Sequence, residues 1–196
     1  MRDQPKIAHK LLDELRRADR EVAKRWPNQF DPGLGRVGLI LESVLKARSY
    51  FCTPTNCWTF AGTGGDGVHY SLLALGPVIS DDSPVVMTLP AYGGLSWAVG
   101  ENLFDFLCLG SVRGYFGIEQ LAYQPETALQ AFTNVAWQPT ENWHFSTGLS
   151  VGADEQRLLE FLTQRFKLKP WVNPERFAEL QERFGKLLEL PPDMVG

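Results

Sequence analysis

Apolar residues recur along the first part of the chain with the period of a helix. From Lys6 to Trp26, the positions Ile7, Leu11, Leu15, Ala18 and Val22 follow at spacings of 4, 4, 3 and 4. That places them on one face of an amphipathic helix, which Pro27 ends. Val37, Ile40, Leu41, Val44 and Leu45 repeat the pattern and predict a second helix over 35–48. Residues 26–33, with two prolines and Gly33, read as the loop between them.

The pattern then changes to that of strands and turns. Cys57-Trp58-Thr59-Phe60-Ala61 is aromatic and β-favouring, and the glycine cluster at 62–67 follows it, with Gly64, Gly65 and Gly67 as its turn residues. Residues 68–75 read as a second strand. Residues 84–90 read as a third, bracketed by Pro84 and Pro90 as an edge strand or strand start would be. Short strands joined by tight turns predict an antiparallel sheet.

Helical spacing returns over 101–109, with Asn102 placed to cap the helix and Gly110 to stop it. Further helices are predicted near 116–122, 125–133, 153–166 and 174–188. Residues 134–152 read as a hairpin or a loop.

Glycine sharpens this partition. None occurs before Gly33, and eleven of the 18 lie between Gly62 and Gly117, so the ends are helical and the middle is not. The expectation is a single α+β domain over 1–196, a central antiparallel sheet flanked by helices from both ends. Residues 1–48 are helical, 49–110 form the sheet-and-turn core, and 111–196 are mostly helical.

Charge adds what periodicity does not. The net −4 divides into +4 over 1–48, −9 over 49–156 and +1 over 157–196. The middle stretch holds one basic side chain, Arg113, against ten acidic ones. Such a segment cannot present a Lys/Arg patch to phosphates, which argues against nucleic acid or nucleotide as the main ligand. The charged N-terminus lacks the apolar region of a signal peptide, and no run reaches the length of a membrane span. A cytoplasmic protein is expected, without membrane contact.

Candidate chemistry is thin. The glycine cluster has no lysine at phosphate-loop spacing and leads into a strand rather than a helix, so it reads as a hairpin turn. Cys52, Cys57 and Cys108 lack the paired spacing of a structural zinc site, even with His69 and His144 to complete it, and read as free thiols. His69 lies between Asp66 and Ser71, and on a strand 69 and 71 share a face, which leaves a Ser–His contact geometrically open. His144 and Glu141 lie in the unassigned loop. Asp81, Asp82, Glu101 and Asp105 crowd the third strand and read as a polar turn, an acidic binding surface or paired catalytic acids. Tyr92 and Trp97 sit on a glycine-containing loop, the best candidate for an exposed aromatic contact.

One family resemblance runs through the middle segment. The stretch Phe60-Ala61-Gly62-Thr63-Gly64-Gly65-Asp66-Gly67, the strand after it, Pro84-Val85-Val86, and Asn102-Leu103-Phe104-Asp105-Phe106-Leu107 together resemble the SUKH superfamily. This is the fold of the yeast cell-wall-assembly regulator and of many bacterial toxin-immunity proteins. Phe104 stands where the family often has an acid. The resemblance implies an α+β fold and a non-catalytic protein that neutralises a toxin, often a nuclease, by binding it.

Joined to the charge pattern, it predicts a cytoplasmic immunity-type protein with a basic partner, no cofactor, no metal and no catalytic residue. The expected face comprises Asp66, Asp81, Asp82, Tyr92, Trp97, Glu101 and Asp105. Two rival expectations are a small hydrolase built on His69 or the acidic cluster, and a homodimer paired through its terminal helices.

Overall fold

The structure, a computed structural model, describes residues 6–27, 33–47, 50–138 and 149–192. The chain begins with a short strand, β1 (Lys6–Ala8), and a helix, α1 (Lys10–Arg25). Six strands follow: β2 (Ile40–Ala47), β3 (Cys57–Gly62), β4 (His69–Leu73), β5 (Val78–Ser80), β6 (Val85–Leu89) and β7 (Leu95–Gly100). The remainder is helical: α2 (Leu103–Gly110), α3 (Gln120–Tyr123), α4 (Pro125–Thr133), α5 (Ala153–Phe166) and α6 (Glu175–Phe184). Five strands make an antiparallel sheet in the order β2-β3-β4-β6-β7, and β1 pairs with β5 in parallel. The fold is α+β.

The helix expected over 35–48 is not formed. Gly33–Val37 is a 3-10 turn, and Ile40–Ala47 is an edge strand. Its pairing with β3 runs Leu41↔Ala61 and then Lys46↔Thr59, so β2 takes five steps where β3 takes two. This irregularity breaks the two-residue alternation and leaves Leu41 and Leu45 half-buried four residues apart, which imitates a helical stripe.

β6 is an inner strand rather than an edge, lying between β4 and β7. Its prolines fall just outside the ladder, and the Pro84 carbonyl still accepts the N–H of Leu73 at 2.8 Å. β7 occupies the segment expected to be an aromatic loop. Gly93 and Gly94, at φ 71° and 86°, make the turn and the strand begins directly after it.

The sheet has two different faces. Phe60 and Tyr70 project toward α2, where Phe106 meets their rings at centroid distances of 5.8 and 4.7 Å, with Tyr115 beyond it at 5.2 Å. The buried Tyr70 hydroxyl donates to the Tyr115 carbonyl, and the Tyr115 hydroxyl donates to the Leu107 carbonyl at 3.1 Å. Both phenols thus have partners in the core, as burial requires. Hydroxyl pairs line the opposite face: Thr59 with Ser71 and Thr88 with Ser96, each at 3.0 Å.

The apolar faces of α1 (Leu12, Leu15, Ala18, Val22) and α6 (Phe177, Leu180, Phe184) are buried in the chain itself. They are not free to pair with a second copy. The N-cap expected at Asn102 is formed, its side-chain oxygen accepting the N–H of Asp105 at 2.8 Å. Part of the segment 134–152, expected as hairpin or loop, lies outside the described residues.

Candidate functional site

Six of the seven residues expected to form one face are divided between the two ends of the sheet, and Trp97 stands mid-strand in β7 opposite Met87. β4 enters at His69, opposite Thr88, and Leu72 stands opposite Val85. Asp66 therefore lies beyond one end of the strand, while Asp81 and Asp82, just before Val85, lie beyond the other. About 13 Å of strand separates them.

Three of the acids are bound up in the fold. Asp81 accepts the backbone N–H groups of Leu11 and Leu12 at 2.6 and 3.1 Å. Asp105 accepts from the Glu101 N–H at 2.9 Å, the Trp171 indole at 3.1 Å and Arg176 Nε at 3.0 Å. Glu101 pairs with Arg183 at 2.5 Å and Arg176 at 3.2 Å, and the Arg183 hydrogen bond holds its carboxyl below the usual range. Two arginines of the C-terminal helix occupy the acids that a basic partner was expected to meet. Trp97 is half-buried with its ring edge-on to Phe177 at 5.5 Å. Asp82 is exposed. Tyr92 closes the 3-10 turn Pro90–Tyr92, and its side chain lies outside the described residues.

His69 is held from both sides. Nδ1 lies 2.8 Å from the Gly67 carbonyl, which can only accept, so Nδ1 carries the proton. In the neutral ring Nε2 then accepts from the Thr53 hydroxyl at 2.9 Å, and Thr53 Oγ1 in turn accepts the Tyr50 N–H at 2.9 Å. Burial keeps the His69 pKa below its ordinary value, which favours this neutral tautomer. Ser71 turns to Thr59, so the Ser–His contact left open by the spacing is replaced by two separate pairs.

The three cysteines are buried and free, and burial pushes the Cys57 thiol up to about 12. Among the described residues, no group of three or more His, Cys, Asp or Glu side chains could hold a metal ion. His144 and Glu141 lie outside the described residues. No helix among the described residues is long and apolar enough to cross a membrane.

The glycine cluster has a role that its sequence alone did not disclose. A Cβ on Gly64 would lie 2.8 Å from Ile40 Cδ1, and one on Gly65 would lie 3.2 Å from the Phe116 ring. One on Gly67 would lie 2.7 Å from the Tyr50 ring. Three large side chains from three distant segments thus rest on the β3–β4 turn. They remain 46%, 38% and 44% exposed for Ile40, Phe116 and Tyr50. Tyr115 fixes Phe116 there by donating its N–H to the Val37 carbonyl at 2.7 Å.

Asp66, at φ 47°, stands at the tip of the turn, and Glu119 is half-buried beside the collar. Burial raises the Glu119 carboxyl, and the charge of Asp66 raises it further. Neither acid has an ion-pair partner among the described residues. The exposed apolar side chains thus stand beside two carboxylates without an ion-pair partner among the described residues.

No family model, curated protein or solved structure matches this chain.

Of the residues expected from sequence, the collar retains Asp66 and the turn glycines. Ile40, Tyr50, Phe116 and Glu119 are not legible as a group in the sequence because they converge only in three dimensions, and Ile40 belongs to the segment whose spacing predicts a helix. The signal that pointed toward them is the spacing Gly64-Gly65-Asp66-Gly67, in which each glycine makes room for one of the three side chains.

A cavity of about 610 Å³ lies elsewhere, between Arg113 and the Gln156–Gln164 face of α5. Arg113, the single cation of the acidic stretch, donates there to the Ala131 and Trp137 carbonyls at 3.2 and 2.6 Å.

Proposed function

We propose that this chain is a non-catalytic, cytoplasmic protein-binding domain of the immunity type, which neutralises a basic protein toxin by docking the collar around the β3–β4 turn. The observation that carries the reading is the collar itself: Ile40, Tyr50 and Phe116 exposed beside the carboxylates of Asp66 and Glu119, which have no ion-pair partner among the described residues. Large exposed apolar side chains with a charged rim are the anatomy of a protein interface. The acidic stretch from 49 to 156, whose one arginine is engaged by backbone carbonyls, favours fast association with a basic surface. The SUKH resemblance of the same segment supports a toxin as the partner. His69, with both ring nitrogens engaged, favours binding over hydrolysis.

The test starts from the neighbouring reading frame: if it encodes a basic toxin domain, capture of that domain is measured with the wild type, the pair Asp66→Lys with Glu119→Lys, and Asp82→Lys at the opposite end of the sheet, and if it encodes none the toxin reading falls. The collar pair should lose affinity by tenfold or more and associate more slowly at low salt, whereas Asp82→Lys should bind as the wild type does. Equal loss in both variants, or in neither, would overturn the assignment of the surface.

A further inference from the structure

We infer that the pocket beside the collar receives an arginine side chain of the protein partner. This rests on the protein-binding reading above and adds the residue class that the partner must present.

The pocket holds about 250 Å³ and is lined by Ile40, Glu42, Tyr50, Thr59, Gly67 and His69. Cavities for whole small molecules begin at roughly 300 Å³, so this one suits a single long side chain. Its walls are chemically unequal. Tyr50 lies parallel to His69, with ring centroids 5.3 Å apart and planes at 16°, and nearly half of the residue stays open. An arginine stem fits against Ile40 while its guanidinium stacks on the tyrosine. The neutral state of His69 leaves no competing cation behind that ring.

Among the described residues Glu42 supplies the one carboxylate of the lining. In the free chain it holds Lys46 Nζ at 2.6 Å, with the lysine side chain 53% exposed. The site thus already accepts a cation. An exposed pair of this kind adds little to the fold, so exchanging it for an incoming guanidinium costs little. The planar fork of arginine can engage both carboxylate oxygens, which the lysine ammonium cannot do.

The test uses small probes and then the partner. N-acetyl-arginine amide is titrated while the NMR signals of Tyr50 and His69 are followed, with N-acetyl-lysine amide and the neutral isostere N-acetyl-citrulline amide in parallel. Arginine should saturate with Kd on the order of 1 mM, as one anchored side chain allows. Lysine should bind at least threefold more weakly, citrulline should leave both signals unmoved, and Glu42→Gln or Tyr50→Leu should weaken arginine at least fivefold. Citrulline binding as well as arginine, or Glu42→Gln leaving the arginine affinity within twofold, would sink the proposal.

Partner capture separates the two inferences. If the Asp66/Glu119 reversal releases the toxin domain while Glu42→Gln and Tyr50→Leu do not, the anchor falls and the binding surface stands. If arginine amide seats as described but no collar variant changes capture, the surface assignment falls and the pocket stands.

Discussion

Asp81 caps a helix from which it is 70 residues distant: its Oδ2 accepts the N–H of Leu11 at 2.6 Å. Its other oxygen takes the N–H of Leu12 at 3.1 Å, and the residue at the helix's own N-cap position, His9, makes no side-chain capping bond. The turn before β6 therefore satisfies the free amides at the start of α1, and its charge favours that end of the helix dipole. Asp81→Ala should lose about 1–2 kcal/mol in urea unfolding. Asp82→Ala, one residue on and exposed, should stay within about 0.5 kcal/mol of wild type. Equal effects would remove the capping role. Charge reversal at Asp81 is for this reason a poor probe of binding, since it would disturb α1 first.

Gln181 protects the β7 edge of the sheet. Its amide oxygen accepts the Ala98 N–H at 3.1 Å and its amide nitrogen donates to the Ala98 carbonyl at 2.6 Å, as a neighbouring strand would. An open edge invites pairing with another chain. Gln181→Glu keeps the shape but sets a carboxylate that cannot donate against the carbonyl, so a loss of about 1–3 kcal/mol is expected. Sedimentation should also show concentration-dependent self-association. A monomeric variant of wild-type stability would refute the edge-blocking role.

Gly67 combines a left-handed backbone, φ 72°, with the closest approach of the Tyr50 ring. Gly67→Ala should cost about 1–3 kcal/mol, through strain and through displacement of the tyrosine. Gly76→Ala, where an added Cβ meets nothing within 4 Å, should change stability by less than about 0.5 kcal/mol. If the two substitutions match in thermal unfolding, the turn does not support the collar as described.

Local signals carried most of the fold. The helix at Ala153–Phe166, the β3–β4 hairpin and the Asn102 cap were each legible because periodicity, turn glycines and capping chemistry act within a few residues. What failed was non-local. The stripe from Val37 to Leu45 keeps helical spacing only because β2 bulges against β3, and no feature of 35–48 reveals its partner strand. The acidic surface failed for the same reason. Glu101 and Asp105 lie near each other in sequence, but their arginines lie at 176 and 183, and only the docking of α6 brings them together. Charge counting fixed the sign of the middle segment, and tertiary pairing decided which of its charges remain available.

The clamp on His69 sets a pH dependence of definite sign. Burial lowers its folded pKa, while the unfolded ring keeps about 6.5. Between those values the unfolded chain binds the extra proton, so the stability contributed by neutral His69 is complete above the unfolded pKa and declines as pH falls through it. The loss reaches at most about 1.4 kcal/mol at pH 5.5. Urea unfolding at pH 7.5 and 5.5 should show a larger drop for wild type than for His69→Gln, even though the variant is less stable throughout. Parallel losses in the two proteins would place the proton elsewhere.

Glu119 titrates with the opposite sign. Its folded pKa is raised by burial first and by Asp66 second, so the folded chain holds the proton more tightly and stability falls as pH rises from 4.5 through the folded value. Glu119→Gln removes the charge and should stabilise the chain at pH 7, by no more than about 0.5 kcal/mol because solvent screens a half-exposed group, with the advantage gone by pH 4. Asp66→Asn relieves only the smaller of the two causes and should gain less. On the binding reading proposed above, the strain that burial and Asp66 place on Glu119 would be relieved by a cation of the partner, as function-bearing sites commonly carry a cost in stability. Glu119→Gln should therefore raise the unfolding midpoint while weakening capture of the toxin domain. A variant that is stabilised but binds as the wild type does would leave the pair without a part in recognition.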